Sequence, residues 1–144
     1  MKIIFSKRRH VGSWLIRTVT WSEWSHVELV LPNGQLLGAA APQGVVVDKL
    51  DKRLSIASQV IEMDVSQWVN ASAVEAWANE QVGKPYDWAG CVGIGIHRDL
   101  QDDKKWFCSE FVAAALRAGG FEPYRLETLH RITPQDLWKL NLPT

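Results

Sequence analysis

The hydrophobic pattern changes period part-way along this chain, and that change limits the fold more than any other feature. Up to Met63 the apolar residues come in short β-rich runs cut by turn signals. Lys2–Phe5 opens as a short strand, and Ser13 is placed to cap a helix through Trp14–Val19. His26-Val27-Glu28-Leu29-Val30-Leu31 then predicts a strand, Asn33-Gly34 a tight turn, and Gln35–Ala40 the antiparallel return. Pro42-Gln43-Gly44 turns the chain again into Val45–Asp48, and Val60–Met63 is a further strand. From Ser72 the spacing is helical. Ser72-x-x-Glu75 forms a capping box, Val74, Trp77, Ala78, Gln81 and Val82 share a face, and Gly83 ends the helix. Lys84–Lys105 reads as a long loop with short ordered pieces. A second helix begins at Phe107 or Cys108, runs through Leu116 and stops at Gly119-Gly120, and Thr133-Pro134 starts a short last one. A run of strands followed by a few helices predicts an α+β fold, a small antiparallel sheet packed against helices. With no repeat and no low-complexity linker, one domain is expected over residues 1–144.

Composition narrows what such a domain can do. The chain is 47% hydrophobic and 22% charged, enough apolar material for one substantial core. Sixteen basic residues balance sixteen acidic ones, so no overall field favours nucleic acid or anionic lipid. The run Lys7-Arg8-Arg9-His10 is a local exception, read as a solvated loop. No segment has the length of a membrane span or a signal-peptide core, so no integral membrane segment is expected. Two cysteines, Cys91 and Cys108, make no disulfide framework, and the default location is cytoplasmic, with delivery to a cell wall by phage or secretion machinery left open. Eight tryptophans are spread along the chain. Most read as packing, whereas Trp24, Trp88 and Trp106 lie near the residues discussed next and are candidates to line a groove.

Cys108 opens an otherwise apolar helix. Helix N-termini carry partial positive charge and unpaired N–H groups, which favour the reactive thiolate and can hold an oxyanion. Glu110, in the same turn, works against a thiolate if it points inward. Cys91, among glycines and apolar residues, reads as packing. His26 stands apart from His10, His97 and His130 because it begins a strand expected to be central, directed at a facing helix terminus. No paired ligand spacing among His26, Cys91, His97 and Cys108 supports zinc, and no metal or other cofactor is expected.

Taken together, Gly83-Lys84-Pro85-Tyr86-Asp87-Trp88-Ala89-Gly90, Phe107-Cys108-Ser109-Glu110-Phe111-Val112 and Ser25-His26-Val27-Glu28-Leu29-Val30 resemble the NlpC-type cell-wall peptidases, papain-like cysteine hydrolases. The histidine strand precedes the cysteine helix, the order of the circularly permuted branch that includes lecithin:retinol acyltransferase-like enzymes. The resemblance covers roughly residues 21–48 and 72–118. It implies a permuted papain-like fold, Cys108 as nucleophile, His26 as general base and later acid, and Tyr86 beside the nucleophile. The family's third polar residue, which orients the histidine, would fall at Gly38, which has no side chain. Glu28 is a candidate replacement, as are Gln43, a main-chain carbonyl or water, so dyad and triad both stay open.

Three functions follow as expectations. The first is cysteine-dependent hydrolysis of an amide, in a cell-wall peptide or another small peptide. The second is thiol-dependent acyl transfer or deacylation of a lipid or ester. The third is a catalytically inactive papain-like binding module, for instance in a phage particle.

Overall fold

The computed structural model describes residues 1–9, 11–90 and 104–140. Five strands form one antiparallel sheet: β1 (Lys2–Lys7), β2 (His26–Val30), β3 (Gln35–Ala40), β4 (Gly44–Lys49) and β5 (Gln59–Asp64), in the order β4-β3-β2-β1-β5. Around it lie α1 (Val11–Thr20), α2 (Leu50–Ile56), α3 (Ala71–Glu80), α4 (Cys108–Ala118), a 3-10 helix (Leu126–Arg131) and α5 (Pro134–Lys139). The architecture is α+β, and the histidine strand β2 is central.

Alternation along β2 turns Val27 and Leu29 into the core, in register with Phe5 and Ile3 of β1, while Glu28 between them turns away from it and His26 stands at the strand's start. α4 lies across β2 and β3, with every residue from Cys108 to Leu116 buried. Ala113-Ala114-Ala115 keep that helix close to the sheet, while Phe111, Val112 and Leu116 fill the space between. Each such large apolar side chain removed from water stabilises the fold by about 1.5–3 kcal/mol. Among the described residues no helix is long and apolar enough to cross a membrane.

Two caps differ from the sequence reading. α1 begins at Val11, so Ser13 lies inside it, and its hydroxyl accepts the Arg8 backbone N–H at 3.2 Å. The cap of α3 is Asn70, whose side chain accepts from the Ala73 N–H, rather than the Ser72 box. Thr133 caps α5 as expected, with Pro134 in the first turn. α2 and the 3-10 helix have no counterpart in the sequence reading.

Candidate active site

α4 starts beside the first residue of β2. The Cys108 thiol and the His26 imidazole are near enough to act on each other electrostatically despite 108 − 26 = 82 positions between them. Hydrogen bonds at the helix entrance fix this start. The Ser109 hydroxyl donates to the Ile132 carbonyl at 2.5 Å. The Phe107 N–H donates to Glu110 Oε2 at 3.5 Å, so the Glu110 side chain bends back over the first turn and partly satisfies it.

Tyr86 is brought to the same place by a short parallel bridge to Trp106. The Asp87 N–H donates to the Trp106 carbonyl at 2.9 Å, and the Trp106 N–H to the Pro85 carbonyl at 3.1 Å. The Tyr86 ring then lies 6.0 Å from Phe107 and 5.0 Å from Trp88. The preceding turn is pinned to β4: the Val45 N–H donates to the Lys84 carbonyl at 2.8 Å and the Gly83 N–H to the Val45 carbonyl at 2.9 Å. That approach requires glycine at position 44, where φ is +90° and a Cβ would collide with the Lys84 carbonyl.

Glu28, one of the candidates for orienting the histidine, stands beside the ring. His26 Nε2 lies 3.2 Å from Glu28 Oε1, an ion pair rather than a well-aligned hydrogen bond. The Glu28 carboxylate is gripped from its other side by Arg53 of α2, whose Nε donates to Oε2 at 2.7 Å and Nη2 to Oε1 at 2.8 Å. Glu28 and Arg53 are both buried. Gly38 faces Glu28 across the β2–β3 pair, and a Cβ there would stand 2.8 Å from Glu28 Cγ. The missing side chain at 38 is therefore the space through which the carboxylate of Glu28 passes.

Burial works against a charged imidazole, but the field of Glu28, the interaction with Cys108 and the contact with Glu28 outweigh it. The His26 pKa is pushed up from 6.5 to about 10. His26 is thus an imidazolium at neutral pH, the partner that favours a neighbouring thiolate.

A cavity of about 310 Å³ opens beside His26. Its lining is mainly apolar, from Ile16, Ala40, Ala41, Pro42, Tyr86 and Trp88, with Arg8, Ser13, Ser25, His26 and Arg53 supplying polar groups. Cys108 itself is fully buried and is not part of the lining. Of the aromatic candidates, Tyr86 and Trp88 border this cavity. Trp24 does not: its ring is enclosed in the core between Phe5 at 5.9 Å and Trp138 at 5.5 Å. Nor does Trp106, whose ring packs on Trp77 at 5.4 Å and Phe111 at 6.0 Å, leaving only its backbone to serve the site. Gln43 is exposed and outside the lining. His130 is on the 3-10 helix, where it accepts from Arg131 Nε at 3.1 Å. His10, Cys91 and His97 lie outside the described residues. Among the described residues no group of three His, Cys, Asp or Glu side chains converges to hold a metal.

Sequence reasoning missed Arg53. A carboxylate on an inner strand calls for a cation, but nothing marks which of sixteen basic residues supplies it.

No family model matches the chain, and no curated protein matches it. Among solved structures it is similar to the crystal structure of the metalloprotein YiiX from Escherichia coli O157:H7, described as DUF1105. The two share 22% identity with a TM-score of 0.63, over 96% of this chain and 78% of that one. At this identity the likeness is one of fold.

Proposed function

We propose that this protein is a cysteine hydrolase of the permuted papain-like, NlpC-type kind, cleaving an amide bond in a small peptide such as a cell-wall fragment. One observation carries the reading: Cys108, opening a buried helix, meets an imidazolium that a clamped carboxylate keeps charged. The central histidine strand under the cysteine helix supports the permuted arrangement.

In this reading His26 already holds the proton as the imidazolium, and Cys108 attacks as the thiolate paired with it. The thiolate adds to the carbonyl carbon, with the first N–H groups of α4 facing the oxyanion. The imidazolium then protonates the leaving amine as the C–N bond breaks, and the neutral ring takes a proton from the water that hydrolyses the thioester. Glu28 holds the ring and offsets its charge; Arg53 holds Glu28. Tyr86 and Trp88 wall the substrate space. Metal chemistry is not carried over from YiiX, since both oxygens of Glu28 already accept from Arg53 and the described residues form no ligand cluster.

The apolar lining of the cavity favours a second substrate for the same residues, the acyl chain of a lipid or ester.

The rate of Cys108 alkylation by iodoacetamide against pH, followed by mass spectrometry, tests the pairing. Alkylation should persist near pH 6, well below the free-thiol value of about 8.5, and His26→Ala should abolish that acid-side reactivity. An ordinary profile, unmoved by His26→Ala, would sink the catalytic reading in favour of a binding module.

A further inference from the structure

From Ser6 to Ser22 the chain carries Lys7, Arg8, Arg9 and Arg17 and no Asp or Glu. α1 occupies most of this stretch, and its outward stripe is the reverse of an ordinary surface helix. Positions 14, 18 and 21 follow helical spacing. Trp14 is 59% exposed, its neighbour Leu15 52%, and Trp21, just beyond the helix end, 87%. Trp21 also has φ of 52°, the left-handed region that favours glycine after a helix, where the Ser22 N–H closes on the Arg17 carbonyl at 3.1 Å. A bulky ring is thus held in an unfavourable backbone state while burying almost none of its surface. Packing within this chain does not account for it.

The same helix borders the cavity beside His26 through Ser13 and Ile16. Arg8 lines it as well, and half-exposed Trp88 lines its wall. Exposed tryptophans, arginines without acidic neighbours along the segment and an apolar cavity therefore belong to one face.

We infer that this face of α1 docks on the surface of an anionic lipid bilayer, with Trp14, Leu15 and Trp21 entering the headgroup boundary and the arginines meeting lipid phosphates. Tryptophan rings favour that boundary, and basic residues beside it are drawn to negatively charged lipid. The apolar cavity decides between a bilayer and a protein partner: an acyl chain has a place to go there, whereas a protein surface would leave it unused. Of the acids near the segment, Glu23 is neutralised by Lys7 at 2.7 Å, and Asp48, within the field of Arg8, is paired with Lys52 at 2.9 Å. Docking rests on the surface and the cavity and does not need the chemistry at Cys108.

The test is co-sedimentation of the whole protein with phosphatidylcholine vesicles, with and without phosphatidylglycerol. The protein should pellet with the anionic vesicles and be released by salt. Trp14→Ser/Trp21→Ser should lose most of the binding, and Arg17→Gln should weaken it about fivefold. All three substituted side chains lie away from the core, and circular dichroism checks that the variants fold. Cys108→Ser should bind as the wild type does, so failure of the hydrolase reading is separable from failure of docking. Absence of pelleting at low salt, or undiminished pelleting of the double tryptophan variant, would overturn the inference. Self-association of the wild type, lost in that variant without any lipid binding, would instead make the face an interface between copies.

Discussion

Two buried clusters begin within three residues of each other and are held together by different physics. Trp24 joins Phe5 and Trp138 in a set of ring contacts with centroids 5.4–5.9 Å apart. Two positions on, His26 starts a chain of alternating charge through Glu28 to Arg53. The aromatic cluster is non-directional, so each ring keeps most of its contacts when a neighbour shifts slightly. The charged chain has no such tolerance, because each member makes its neighbour's burial affordable. One entrance to one strand thus serves packing on its first residues and polar organisation on the next.

The largest expected effect separates the two. Arg53→Met leaves the Glu28 carboxylate buried beside His26 without its clamp and should cost about 3–5 kcal/mol in urea denaturation. Adding Glu28→Gln should recover much of that loss. Trp24→Ala should cost a similar amount, about 3–5 kcal/mol, with no charge-removing partner able to restore it. A double variant no more stable than Arg53→Met alone would break the contrast.

Next in size is a pH dependence. The folded pKa of His26, about 10, lies above the unfolded 6.5. Its contribution to stability is therefore fully present below pH 6.5 and is lost as pH rises through about 10. Urea midpoints on either side of this window should show wild-type stability falling more steeply than that of His26→Asn. Equal slopes would mean that the imidazole is not held charged.

Gly38→Ala should cost about 1–3 kcal/mol, because the added methyl meets Glu28 Cγ. Unlike a core overpacking mutation, it should also weaken the acid-side alkylation of Cys108 by displacing the carboxylate. The smallest effect is the cap of α5: Thr133→Ala should cost about 1 kcal/mol and leave the alkylation profile unchanged. A changed profile there would show that the site is less separable from the rest of the fold than the contrast requires.

The strands from His26 to Asp64 and the starts of α4 and α5 were legible because turn glycines, period-two alternation and a Thr-Pro cap act locally. Cys108 and His26 were legible as residues in suggestive places, and Glu28 as one of several possible partners for the ring. What decided among those partners is not local. Leu50–Ile56 carries no pronounced helix signal, and the use of Arg53 depends on a contact between residues 25 positions apart. Trp24 and Trp106 were misplaced for a related reason: proximity in sequence to a motif does not say on which side of a strand or loop a ring falls. Their placement followed from Trp138 and Trp77, which lie far along the chain.

The shared volume between positions 28 and 38 also constrains how such a site can change by descent. A carboxylate rooted at 28 needs an empty 38, and an orienting residue rooted at 38 needs the long side chain at 28 removed. Exchanging one arrangement for the other through single substitutions passes either through a crowded intermediate or through one with no orienting residue at all. Arg53 adds a third dependence, since its guanidinium would lose its counter-ion along the way. The two positions therefore form a ratchet: a relative with a bulky residue at the position matching 38 should differ from this chain at the positions matching 28 and 53 as well.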